Sequence, residues 1–121
     1  MSGSMATVLV VDDERNIRAH LATYVKSLGH ATEVAASAEE ALAMLGERTF
    51  DLVLSDVRMP GLDGLALLGE IRKRAPETLV VLMTAYATVP QAVEAVRAGA
   101  YDYFVKPFPL DQNVLLRTWV L

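Results

Sequence analysis

The chain has 121 residues, enough for one domain and no more, and over half of them are apolar, enough to build a core. Its net charge of −4 argues against a surface that grips a nucleic-acid backbone, and the absence of cysteine excludes disulfides, thiolate chemistry and cysteine-based zinc sites. Two histidines, His20 and His30, are too few for a histidine-only metal site. No apolar run approaches the roughly 18 residues of a membrane span. No basic stretch followed by an apolar core marks a signal peptide, so the expectation is a cytoplasmic domain without a membrane partner. Met1 to Met5 read as an expression remnant or start, ahead of a domain over 6–121.

Ala6 to Val11 reads as a first strand rich in β-branched residues. Asp12 and Asp13 follow, and either can cap a helix from about Glu14 whose face carries Ile17, Leu21, Tyr24, Val25 and Leu28. Gly29 stops it. His30 to Ala35 is a short second strand. Ser37, with Glu40 three residues on, marks a capping box for a second helix bearing Ala41, Leu42 and Leu45. Leu52 to Ser55 is a third strand, apolar enough to be covered on both faces. Asp56 ends it, and a turn-rich loop runs from Met59 to Gly64. Leu65, Leu68 and Ile71 mark a third helix with a basic last turn, Arg72, Lys73 and Arg74. Leu79 to Met83 is a fourth strand, ending at Thr84. Pro90 suits the first turn of a fourth helix, with Val93 and Val96 on one face and Gly99 as its stop. Tyr101 to Val105 is a fifth strand, ending at Lys106. Pro107 and Pro109 then break the chain before a last helix from about Leu110.

Strand and helix thus alternate five times, which implies parallel strands joined by right-handed crossovers. The expected fold is α/β: a flavodoxin-like, doubly wound (βα)5 sandwich with one parallel five-stranded sheet in the order 2-1-3-4-5.

In such a sheet, ligands bind in the crevice at the carboxyl ends of the strands. Asp12 and Asp13, Asp56, Thr84 and Lys106 all stand at those ends. Three neighbouring carboxylates repel one another, and a hard divalent cation relieves the repulsion. Mg²⁺ takes oxygen ligands and leaves positions for phosphate oxygens, and the carbonyl of Arg58 can add one more. A carboxylate so placed can be a nucleophile toward a phosphoryl group. Lys106 then supplies a point charge and Thr84 a hydroxyl donor for the equatorial oxygens. Each residue alone has a plainer role: Asp56 as a turn residue, Asp12 and Asp13 as caps, Lys106 as a solvated loop charge, His20 on a helix surface. The joint pattern favours phosphoryl chemistry.

VLVVDDE at Val8–Glu14, LSDVRMPGLDG at Leu54–Gly64, LMTAYA at Leu82–Ala87 and AYDYFVKPF at Ala100–Phe108 together closely resemble the receiver domains of two-component response regulators. The resemblance implies Asp56 as phosphoacceptor, Asp13 as direct Mg²⁺ ligand, Asp12 acting largely through metal-bound water, and Arg58 as carbonyl ligand. It also implies Thr84 and Lys106 on the phosphoryl group, a cis bond between Lys106 and Pro107, and Tyr103 as an aromatic switch. A cognate sensor histidine kinase is then the phosphoryl donor. The domain catalyses its own phosphorylation and slow dephosphorylation without being a turnover enzyme. The surface of the fourth helix, fifth strand and fifth helix carries the readout.

The stretch from Met83 to Phe108 further resembles the NtrC type, whose members continue into an AAA+ ATPase acting on σ54 polymerase and a helix-turn-helix. Contact with DNA is therefore expected through effector domains beyond this chain. Tyr86, two residues past Thr84, is expected to shield the phosphoryl group from water. The apolar cluster Val114, Leu115, Leu116, Trp119, Val120 and Leu121 points to a homodimer or a linker helix.

Three other readings compete. A haloacid-dehalogenase-type phosphatase needs a D-x-D spacing that Asp12-Asp13-Glu14 lacks. A stand-alone or pseudo-receiver would act only as a protein-interaction module. A flavin module would repel its phosphate from Asp12 and Asp13.

Overall fold

The computed structural model describes residues 6–85 and 88–105. Its elements are β1 (Thr7–Val11), α1 (Arg15–Ser27), β2 (Ala31–Ala35), α2 (Ala38–Glu47), β3 (Leu52–Asp56), α3 (Gly64–Arg74), β4 (Leu79–Thr84), α4 (Val89–Arg97) and β5 (Asp102–Val105). All strand pairs are parallel, as the alternation of elements implies, and the sheet has the expected order β2-β1-β3-β4-β5. The expected last helix, Lys106 with its bond to Pro107, Tyr86 and the apolar C-terminal cluster lie outside the described residues.

The period-two alternation of the strands divides the core into two layers. Leu9, Val11, Val53, Val80 and Leu82 face α2, α3 and α4, where Ala38, Ala41, Leu67, Leu68, Ile71 and Ala95 close the layer. Val8, Val10, Leu52, Leu54, Val81 and Met83 face the other way, onto Leu21 and Val25 of α1. All five residues of β3 are buried, as expected for the central strand of a sheet covered on both faces. Burial of each large aliphatic side chain contributes about 1.5–3 kcal/mol, so the central strands dominate the stability of the sheet.

The helix boundaries follow local chemistry. Ser37 Oγ accepts from the Glu40 N–H at 3.0 Å, as the capping box predicts. The Glu40 carboxylate reaches the N–H of Ala36 rather than that of Ser37, one residue further back. Thr88 caps α4 by accepting from the Gln91 N–H at 3.2 Å, with Pro90 in the first turn. Gly29 and Gly99 follow the ends of α1 and α4, where they were expected.

One reading is corrected. Neither Asp12 nor Asp13 is the N-cap of α1; Glu14 holds that position without a side-chain cap bond. The face of α4 bearing Val93 and Val96 turns outward, and the small Ala95 is the residue buried against the sheet. A nine-residue helix lying against an edge strand buries only a narrow stripe, which one alanine fills.

Candidate functional site

The strand registers bring the acidic residues together. Val11 pairs with Ser55, so Asp12 and Asp56, each the next residue along, stand side by side at the carboxyl edge. Asp56 pairs with Met83, and Thr84 follows as the last residue of β4, paired with Val105. Asp56 and Thr84 are thus the final residues of their strands rather than the first of their loops. That explains their burial: Asp56 is 8% exposed and Thr84 fully covered, as is Asp12. Asp13 is exposed, at the mouth of the group. Carboxylate oxygens of Asp12, Asp13 and Asp56 all lie within 4.8 Å of one another.

This donor set fits a hard divalent cation. At Mg–O distances of ~2.0–2.1 Å, two oxygens on one ion lie at most about 4.2 Å apart, and an oxygen acting through a bound water lies farther. Three carboxylates at these separations can therefore share one ion with water completing its shell. Arg58, the expected carbonyl donor, is exposed two residues beyond Asp56.

The surrounding chain holds these residues in place through its backbone. The Asp12 N–H donates to the Ala35 carbonyl at 3.2 Å, extending the β1–β2 ladder by one rung. Asp12 Oδ1 accepts from the Glu14 N–H at 2.9 Å, so Asp12 orders the turn into α1 without occupying the cap position. Arg18, one turn into α1, donates from Nη1 to the Asp12 carbonyl at 2.8 Å. The Val57 N–H donates to the Met83 carbonyl and the Gly64 N–H to the Val57 carbonyl, both at 2.8 Å. Gly64 approaches the strand so closely that a Cβ there would run into the Asp56 carbonyl oxygen and lie 2.9 Å from Val57 Cα. Asp63 then caps α3, accepting from the Ala66 N–H at 2.8 Å.

On the far side, the Tyr103 hydroxyl donates to Gln91 Oε1 of α4 at 2.5 Å, and the ring packs partly buried against the α2–α3–α4 layer. Desolvation by burial raises the Tyr103 phenol above its ordinary value. Gln91 also lines an open cleft of about 490 Å³ whose other wall is Val57, Arg58, Met59, Pro60 and Asp63. One amide side chain therefore lies between the tyrosine and the loop that follows Asp56.

Arg18, Asp63 as a cap, Gly64 and Gln91 escaped the sequence reading. Asp63 was legible, because an Asp three residues ahead of a helical N–H is an ordinary cap signal. The other three act across the fold, and no local pattern announces them.

The family described as the response regulator receiver domain matches residues 8–117. This chain belongs to that family. The receiver is 52% identical over 103 residues to the response regulator protein FleR of Pseudomonas aeruginosa, covering 85% of this chain and 22% of FleR. It is 44% identical over 109 residues to the DNA-binding transcriptional regulator NtrC of Salmonella typhimurium, covering 90% of this chain and 23% of NtrC. The chain thus spans about a quarter of the length of these relatives. Chemotaxis protein CheY4 of Vibrio cholerae superposes with a TM-score of 0.88 at 31% identity, over 97% of this receiver and 99% of CheY4. The receiver accordingly has the CheY-like fold and the sequence character of the NtrC branch. Among the described residues, no helix is long and apolar enough to cross a membrane.

Proposed function

We propose that this receiver accepts a phosphoryl group on Asp56 from a phosphohistidine of a sensor histidine kinase and so switches a transcription-regulating output. One observation carries the reading: three carboxylates meet at the carboxyl edge of the sheet in a chain of this family, with Asp56 on the central strand. An Asp56 oxygen forms the new O–P bond as the N–P bond of the donor breaks, and the leaving imidazole keeps the electron pair and takes up a proton.

Asp12, Asp13, Asp56 and the Arg58 carbonyl are the proposed ligands of Mg²⁺. The ion, when bound, neutralises charge on the transferring oxygens. Thr84 is the proposed hydroxyl donor to the phosphoryl group, and Lys106 its proposed point charge. Rigid strand ends suit this work, since phosphoryl transfer asks chiefly for positioning and charge neutralisation.

Phosphorylation adds roughly −1.5 to −2 charges and three acceptor oxygens beside Thr84. Moving a two-state equilibrium from 1:99 to 99:1 needs about 5.5 kcal/mol, which a few charge-assisted bonds at about 1.5–3 kcal/mol each supply. Thr84 shifts toward the phosphoryl group, its loop follows, and Tyr103 repacks. The proposed readout is α4, β5 and the expected last helix, with effector domains making the contact with DNA and the cytoplasm as the place of action. A homodimer through the apolar C-terminal stretch is the proposed assembly.

The test is incubation with Mg²⁺ and acetyl phosphate, read as intact mass, beside Asp56→Asn. A gain of one phosphate that needs Mg²⁺ and vanishes in the variant is expected. No gain would return the chain to a pseudo-receiver that works by protein contact alone, and a gain persisting in Asp56→Asn would name another nucleophile.

A further inference from the structure

The loop between β3 and α3 carries Arg58, whose carbonyl is a proposed metal ligand. At its two ends the loop is anchored by the Val57 N–H on the Met83 carbonyl and by Gly64, which closes back on Val57. The tip is held differently. The Leu62 N–H donates to Glu39 Oε2 at 3.1 Å, and Glu39 belongs to the first turn of α2, 23 residues away in sequence. Gly61, just before, has a left-handed backbone with φ of +75°. A Cβ at Gly61 would lie 2.7 Å from the same Glu39 oxygen. The turn therefore both points a donor at this carboxylate and leaves room for it. The neighbouring Glu40 is occupied otherwise, on the Ala36 N–H of its own helix start, so the two adjacent glutamates divide between capping α2 and gripping the loop.

We infer that Glu39 is a positioning residue for the metal site: from α2 it holds the tip of the β3–α3 loop and through it the Arg58 carbonyl. The inference rests on the proposed Mg²⁺ ligation. It assigns α2 a part in cation affinity, although no side chain of that helix joins the acidic cluster. The role depends on reach and hydrogen bonding rather than on charge. Loosening the tip lets the carbonyl wander, which weakens cation binding but leaves the Asp56 nucleophile, at the end of a buried strand, where it was.

Three substitutions in the full chain separate these terms. Glu39→Gln keeps the reach and an acceptor oxygen but loses the charge. Glu39→Asp keeps the charge but is one methylene too short. Glu39→Ala loses both. Cation binding is read directly, by Mn²⁺ electron paramagnetic resonance and by Mg²⁺ competition against it. Amide exchange of Leu62 reports the tether itself, and the Mg²⁺ dependence of acetyl phosphate labelling gives a half-saturating concentration and a maximal rate. Glu39→Asp and Glu39→Ala are expected to raise the half-saturating Mg²⁺ concentration about three- to tenfold, the scale of one hydrogen bond. Leu62 exchange should quicken, with the maximal rate within about twofold of the parent. Glu39→Gln should match the parent.

A shift in Glu39→Gln equal to that in Glu39→Ala would overturn the inference in favour of simple charge attraction. Faster Leu62 exchange with unchanged cation binding would reduce Glu39 to a staple between two elements. If Glu39→Ala fails to fold, the contrast between Glu39→Asp and Glu39→Gln decides alone. Cation binding without any labelling of the parent chain would instead count against the proposed phosphoryl transfer and leave the tether to be judged by the Mn²⁺ data.

Discussion

The corner where β3 meets α3 and the side formed by α4 and β5 are built on opposite plans. At the corner, every residue of β3 is buried, and backbone bonds with β4 and Gly64, together with the Glu39 carboxylate of α2, pin the following loop. On the other side, α4 buries only Ala95, while Val89 is 77% and Val96 64% exposed, and no residue of β5 is fully covered. The acidic cluster stands at the end of β3, the strand that is buried throughout, where the proposed phosphoryl chemistry needs fixed oxygens. In the proposed switch, the element that changes position when charge arrives comes from the lightly buried part of the fold. The Gln91–Tyr103 bond joins the two plans, with Gln91 facing the cleft beside the corner and Tyr103 lying on the lightly buried side.

Substitutions of graded severity test this contrast. Leu68→Ala, in the layer under β3, should cost about 2–5 kcal/mol in urea unfolding, because a buried leucine leaves a cavity. Gly64→Ala should cost about 1–3 kcal/mol through overpacking against the Asp56 carbonyl. It should also slow acetyl phosphate labelling, since the displaced backbone carries Asp56, the proposed nucleophile; unchanged labelling would mean that the corner tolerates movement. Gln91→Leu should cost about 0.5–1.5 kcal/mol, the scale of one hydrogen bond, and raise amide exchange in β5 without affecting β3. Protection lost equally in both strands would erase the distinction between the two regions.

His30 offers a control away from both regions. It is buried just ahead of β2, its Nδ1 accepts from the Ala6 N–H at 3.0 Å, and desolvation lowers its pKa below the ordinary 6.5. Above that value the imidazole is neutral whether the chain is folded or not, and its contribution to stability is complete. As the pH falls below 6.5 the unfolded chain takes up a proton that the native chain resists, so stability drops until the lowered native pKa is reached. His30→Gln should flatten that part of the stability–pH curve. The smallest effect is expected at Val96→Ser, within about 0.5 kcal/mol, because its side chain already meets water.

Much of this was legible in advance because it is periodic or local. Apolar runs ending in Asp12, Asp56 and Thr84 placed those residues at one edge of one sheet, and Ser37 and Pro90 marked helix starts by their own chemistry. The face of α4 was less legible. Val93 and Val96 have the spacing of a buried stripe, but which stripe is buried depends on where the sheet lies, and the sheet selected Ala95. Asp12 and Asp13 looked like caps because acidic residues before a helix usually are. Asp12 instead turns its carboxylate both to the Glu14 N–H and to the acidic cluster, a choice set by the neighbouring strand.

The sequence by itself determined the order of elements, the parallel sheet and the residue types at its carboxyl edge, since these follow from hydrophobic period and turn chemistry along a contiguous stretch. Only the tertiary structure decided the rest: that three carboxylate oxygens meet within 4.8 Å, that Gly64 lies against the Asp56 backbone, that Glu39 reaches the loop tip and that Gln91 meets Tyr103. Each of these pairs residues far apart in the chain or across a tight turn. Their contact energies depend on ångström-scale distances that no spacing along the chain encodes.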